Sequence, residues 1–201
     1  MANPAPISKK HVLNGKKRFF LGACALIMLA IGIALWQYFG FSNQSSWTEQ
    51  AIVFEDTSLQ LPPEIAGATG RIRLVHFWDP ACSGCNRETG AHLSYLISMY
   101  RREKIDFFSV QKPHTQGDLP LFLREKLVPL EKLDGMENIP ASPFVAIWDR
   151  NGKLAYAGPY SLGMVCTSAN SFVEPLLDKL LRGEEVEPSG ILAVGCYCSW
   201  Q

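Results

Sequence analysis

The chain has 201 residues, with 19 basic and 19 acidic side chains, a formal net charge of zero and 47% hydrophobic residues. That size holds one ordinary globular domain plus a short extra segment, and the balanced charge excludes an electrostatic footprint for nucleic acid. No self-similar period points to a solenoid or a propeller.

The extra segment comes first. From Phe19 to Trp36 the chain reads FFLGACALIMLAIGIALW, 18 residues without a charge. A run of that length is near what a helix needs to cross a bilayer core. Trp36, Tyr38, Phe39 and Phe41 follow it, and Lys9, Lys10, Lys16, Lys17 and Arg18 precede it, with no acidic residue before Glu49. Aromatic rings favour the membrane–water interface, and basic flanks stay on the cytoplasmic side. The expectation is a single-pass anchor in a bacterial inner membrane, contacting its lipid, with the N-terminus cytoplasmic and the rest periplasmic. The run is longer than a secretory signal core and has no small-x-small site after it. Leu21-Gly22-Ala23-Cys24 has the form of a lipoprotein cleavage box, but it opens the run instead of closing it, so Cys24 reads as a small lipid- or helix-facing residue.

The expected organisation is a basic cytoplasmic N-terminus (1–18), the transmembrane anchor (19–40), a polar tether (41–50), an α/β domain (51–183) and a tail (184–201). Within the domain, Ala51 to Leu61 suggests a strand and turn. Arg71 to Trp78, RIRLVHFW, is rich in β-branched and aromatic residues and reads as a buried strand that Asp79-Pro80 ends. A helix begins near Cys82 and runs towards Glu103, with Leu93, Leu96, Ile97 and Tyr100 on one face. Ile105 to Gln111 is a second strand, and Asp118 to Leu133 reads as a helix interrupted at Pro129. Phe144 to Trp148 is a short strand, and Asn151-Gly152 turns it back into Lys153 to Ala157. Ser168 or Ser171 can cap a last helix ending at Gly183. The order predicts a mixed sheet flanked by helices, parallel in its first part and antiparallel in its last. About 160 exported residues can close such a core without disulfides.

Export leaves five cysteines in an oxidising compartment: Cys82, Cys85, Cys166, Cys196 and Cys198. There, thiols end as disulfides, metal ligands or cycling redox pairs. Cys82 and Cys85 stand where a strand ends and a helix starts. Unpaired amides and the helix dipole at that point stabilise a thiolate. Cys82 is expected to be the exposed nucleophile, with Cys85 one turn along to resolve a mixed disulfide. Half of a zinc site is the alternative, but zinc sites use two such knuckles or paired histidines. The other close pair here is a Cys-x-Cys more than a hundred residues later.

The segment VHFWDPACSGCNRE resembles the active-site segment of the thioredoxin superfamily, in particular the membrane-tethered thiol–disulfide reductases of cytochrome c maturation. SPFVAIWDRNGKL, Ser142 to Leu154, resembles that family's proline, strand and turn. The resemblance implies a thioredoxin-like fold, a cis proline at Pro143 and a Ser142–Pro143 loop that orients a partner. It also implies thiol–disulfide exchange on exported protein or small thiol substrates, with reduction favoured, and a membrane thiol donor or acceptor of electrons. Glu88 is a candidate for proton transfer at Cys85. Ser83-Gly84 departs from the family's usual dipeptide, and the charge of Asp79 would oppose a thiolate at Cys82.

Cys166, Cys196 and Cys198 lie outside the resemblance. Three readings stand for them. Cys166 can staple the tail through Cys196 or Cys198. The tail cysteines can form a second redox pair that exchanges with Cys82 and Cys85. A thiolate set with Met164 nearby would suit soft Cu(I). The leading reading needs no cofactor and assigns no metal site, with His76, His92 and His114 read as packing or solvent-facing. Trp200 can dock on apolar surface and hold the tail. Two other classes remain: a copper metallochaperone, whose relatives use Cys-x-x-x-Cys, and a binding module with structural disulfides alone.

Overall fold

The computed structural model describes residues 15–42, 51–54, 58–67, 70–163, 168–188 and 190–201. Cys166, Met164 and most of the basic N-terminus and the tether therefore lie outside the described residues. Two units separate, residues 1–44 and 45–201.

The first unit holds α1, Gly15–Ser42. Leu26, Ile27, Met28, Leu29, Ile31, Ile33 and Leu35 on it are all exposed. Among the described residues, no helix is long and apolar enough to cross a membrane.

The second unit is built on a five-stranded sheet in the order β4-β3-β2-β6-β7. Its strands are β2 (Ile72–Trp78), β3 (Ile105–Gln111), β4 (Val128–Leu130), β6 (Phe144–Trp148) and β7 (Leu154–Gly158). β2, β3 and β4 run parallel, whereas β6 lies antiparallel to β2 and β7 antiparallel to β6. The mixed sheet expected from the element order is present. All seven residues of β2 are buried, as a central strand covered on both faces requires.

Side-chain alternation along β2 splits the interior in two. Ile72 and Leu74 face α3 (Ser83–Met99) and α5 (Val173–Leu181), packing with Leu93, Leu96, Leu177 and Leu180. Val75 and Phe77 face the other way, towards Phe54, Phe144, Trp148, Tyr197 and Trp200. Arg73 is buried on that side, and its guanidinium donates to the carbonyls of Ile65, Ala66, Arg71 and Asp149.

Two expectations are corrected here. The region 118–133 is not a helix throughout: α4 covers only Leu121–Arg124, and Val128–Leu130 is β4. Pro129 is tolerated because β4 is an edge strand with no ladder partner beyond it. The tail is also part of the domain's core and not an appendage to it. β8 (Ile191–Ala193) pairs with β1 (Ile52–Phe54), and β9 (Cys198–Ser199) pairs with β5 (Ala141–Ser142). Tyr197 and Trp200 are buried by stacking edge-on against Phe54 and Phe77. The remaining short helix, α2, is Pro63–Ala66.

Candidate redox site

The site is built where β2 gives way to α3. Asp79 folds the chain over: its carboxylate accepts from the Ala81 amide at 2.9 Å, and its carbonyl accepts from the Cys82 amide at 2.9 Å. The Asn86 side chain donates to the same carbonyl at 2.7 Å. These bonds set Cys82 as the residue that caps α3 and place Cys85 inside its first turn. Gly117 packs against Pro80 so closely that a Cβ there would lie 2.6 Å from the proline Cβ.

Asp79 is buried, and its charge is met by Lys112, whose Nζ lies 3.2 Å from the carboxylate. The carboxylate expected to oppose a thiolate is thus neutralised locally. Lys112 also donates to the Ser199 carbonyl at 2.9 Å, so one ammonium holds both the active-site turn and the tail. The sequence reading missed Lys112. Its position just past β3, which aligns Gln111 with Trp78, is the signal that would have found it.

The cysteines differ most from expectation. Cys82 is not an exposed nucleophile: it is wholly buried, and Cys85 is 1% exposed. Both are bonded to the tail, Cys82 to Cys198 and Cys85 to Cys196, with Cα–Cα separations of 5.9 and 5.3 Å. Both tail cysteines are therefore occupied by the Cys-x-x-Cys, while Cys166, expected to staple one of them, lies outside the described residues. The spacing explains the crossed pairing. Residues three apart share one face of a helix, and on the tail a bend at Cys196 leads into β9 at Cys198, with both sulfurs meeting that face. Each pair thus offers two sulfurs on one side. Tyr197, between the tail cysteines, points the opposite way into the core, its ring centroid 5.4 Å from that of Phe54.

The Ser142–Pro143 peptide is cis. Ser142 pairs in register with Cys198, and Ala141 with Ser199. The Cys82 sulfur lies 3.7 Å from the Ser142 carbonyl, which a thiol there would use as its acceptor. The loop expected to orient a partner is occupied by the chain's own tail. Glu88 sits half-buried on α3 one turn past Cys85, with no hydrogen bond or ion pair among the described residues.

The sulfurs of Cys82, Cys85 and Cys198 all lie within 4.8 Å of one another. As thiolates they would be a soft-ion donor set; here each is spent in a disulfide. None of the three histidines belongs to that group. His76 is buried with Nδ1 2.9 Å from the Tyr160 hydroxyl, and burial lowers its pKa to about 3. His92 bonds Glu174 at 2.7 Å, and His114 is exposed. Burial alone would raise the Glu174 carboxyl, but hydrogen bonds from His92 and Ser171 outweigh it and lower the pKa to about 2. Beside Ser83, a cavity of about 390 Å³ opens between His76, Trp78, Asn86, Phe122 and Leu123.

A parallel-then-antiparallel sheet, a Cys-x-x-Cys opening the helix after its central strand, and a cis proline facing that pair define a thioredoxin-like α/β domain. The chain belongs to the family described as a domain of unknown function, DUF6436, whose profile matches residues 50–200. No curated protein matches it. Among solved structures, an uncharacterized conserved protein from Geobacillus kaustophilus is similar at 17% identity and a TM-score of 0.49, over 79% of this chain and 94% of that one. A hypothetical protein from Sinorhizobium meliloti 1021 is similar at 16% and 0.48, over 76% and 92%. The thioredoxin domain of a thiol-disulfide oxidoreductase from Bacteroides vulgatus is similar at 19% and 0.39, over 66% and 94%.

Proposed function

We propose that this chain is a membrane-anchored periplasmic thiol–disulfide oxidoreductase acting on exported protein or small thiol substrates. One observation carries the reading. Cys82, at the start of a 17-residue helix, is joined to a cysteine of an extended segment that pairs with the Ser142–Pro143 loop. That is the arrangement of a mixed disulfide with a peptide substrate, the central intermediate of thiol–disulfide exchange. The roles follow: Cys82 attacks, Cys85 resolves, Ser142 and Pro143 align the partner backbone, and Glu88 is the candidate for exchanging a proton at Cys85. The cavity beside Ser83 offers room for a substrate side chain.

The anchor reading rests on the apolar run 19–36 and on the exposed apolar residues Leu26 to Leu35 of α1. It places the redox domain in the periplasm, where a membrane thiol protein would exchange electrons with it. The resemblance of the active-site segment favours reduction.

The test uses the full-length chain in its host membrane. Cys82 is kept while Cys85, Cys196 and Cys198 are changed to serine, and partners are sought as reductant-sensitive bands on non-reducing gels. Bands that vanish with Cys82→Ser support the proposal. Absence of such bands, together with dithiothreitol-driven insulin reduction that Cys82→Ser leaves unchanged, sinks it. The three neighbouring sulfurs favour copper delivery as a second reading; stoichiometric Cu(I) retention by the reduced chain without insulin turnover would select it.

A further inference from the structure

The two cysteine pairs are not equally reachable. Cys82 and Cys85 are buried, whereas Cys196 and Cys198 are each partly exposed. An outside thiolate therefore meets the tail sulfurs first. The tail is also pinned on either side of them. Tyr197 and Trp200 are buried, and Gly195 bridges to Gly163 so closely that a Cβ on Gly195 would lie 2.9 Å from the Gly163 carbonyl oxygen. Exchange among the sulfurs has only a short distance to cover, because those of Cys82, Cys85 and Cys198 lie within 4.8 Å of one another.

We infer that Cys196 and Cys198 form the donor-facing redox pair of the oxidised chain, and that an incoming dithiol enters through the tail, its electrons coming to rest on Cys196 and Cys198 while Cys82 and Cys85 close on each other. This rests on the oxidoreductase reading and reverses the expected order, in which Cys82 meets the partner first.

Each step balances. A thiolate of the dithiol attacks the Cys198 sulfur; a bond forms between them, the Cys82–Cys198 bond breaks, and the electron pair leaves on Cys82. The start of α3 stabilises that leaving thiolate. Cys82 then attacks the Cys85 sulfur, forming Cys82–Cys85 and breaking Cys85–Cys196. The pair leaves on Cys196, which takes a proton from water. The second thiolate of the dithiol attacks its own mixed-disulfide sulfur, closes the donor's disulfide and expels Cys198, which is also protonated. The dithiol loses two electrons and two protons, and the chain gains both. The two-electron product holds Cys82–Cys85 as a disulfide and carries Cys196 and Cys198 as thiols.

Peptide mapping of the oxidised full-length chain in detergent tests this directly. Trypsin releases Leu74–Arg87 and Gly183–Gln201, each carrying both of its cysteines, and the crossed disulfides hold the two peptides together. The chain is mixed with one equivalent of dithiothreitol, quenched with acid at successive times and alkylated with a maleimide. The expected first product is loss of the linked species, with an internal disulfide in Leu74–Arg87 and two maleimides on Gly183–Gln201. The reverse labelling, or peptides still joined by one bond with one maleimide each, overturns the inference. A Cys85→Ser variant removes the acceptor of the second step. Its cross-linked peptides are then expected to separate with maleimide on Cys82; an unchanged map with Cys82 unlabelled overturns the relay. Insulin turnover by the same wild-type preparation separates the two proposals. Turnover with Cys82 and Cys85 labelled first removes the relay alone. The expected map without turnover removes the oxidoreductase reading and leaves the relay.

Discussion

The two halves of the sulfur cluster are held by opposite means. Cys82 and Cys85 sit on a framework of backbone bonds: the Asp79 turn, the first turn of α3 and the buried strand β2 behind them. Cys198 lies on a two-residue strand paired with β5 and Cys196 on the bend before it, a stretch held by the Gly195–Gly163 bridge, two aromatic rings and one lysine. A helix start fixes where a thiolate is stable. A side-chain-anchored tail fixes which sulfur it meets, and leaves that sulfur closer to solvent.

The largest break in this comparison is to remove the covalent half. Cys196→Ser with Cys198→Ser opens loops of 116 and 111 residues. The chain-entropy estimate for loops of that length is a loss of about 5 kcal/mol, most of it from the first bridge. Urea unfolding of the oxidised wild type against the variant measures it. Equal midpoints would show that the tail adds no covalent stability.

Next in size is acid. In the folded chain His76 stays neutral down to about pH 3, whereas the unfolded histidine binds a proton below about 6.5. The unfolded state then holds the extra proton, so stability falls as pH drops from 6.5 towards 3. Glu174 acts in the same direction: its contribution is complete above 4.5 and is lost as pH falls towards 2. Together they predict a loss of roughly 4 kcal/mol between neutrality and pH 4. Both groups belong to the α3–α5 side, so the tail variant is expected to show the same slope in unfolding against pH. A flattened slope would tie these groups to the tail.

Trp200→Ala should then cost about 3 kcal/mol, from a buried ring lost beside Phe77. In the reduced chain it should also speed Cys82 alkylation, because the tail loses its last apolar anchor. Equal alkylation rates would mean that Lys112 and Tyr197 hold the tail unaided. Lys112→Met is the smallest change, about 1 kcal/mol for a partly buried pair. It leaves Asp79 uncompensated and should raise the thiol pKa of Cys82, read as thiolate absorbance against pH in the reduced chain.

Much of the framework was legible from period alone. RIRLVHFW, IDFFSVQ and FVAIW carry strand chemistry, and each forms a strand within a residue of its expected bounds. Asn151-Gly152 marked the β6–β7 turn, with Gly152 at positive φ. The segment 118–133 misled because Leu121, Phe122, Leu127 and Leu130 sit at helical spacing, while a parallel partner in β3 claims Val128–Leu130. The tail was illegible for a different reason. Its elements are only two or three residues long, and their stability comes from partners more than fifty residues away in sequence. No local propensity announces such pairing. What the sequence does offer, as one of three readings, is a tail pair that exchanges with Cys82 and Cys85.

Tyr197 gives the tail a direction-sensitive key. Its ring fills a place in the core while the residues on either side supply sulfurs to the opposite face. The two demands are met together only at a spacing of two. One residue inserted beside Tyr197 would turn a sulfur into the apolar interior or the ring out towards α3. The phase of a single tyrosine therefore keeps both tail sulfurs turned towards Cys82 and Cys85.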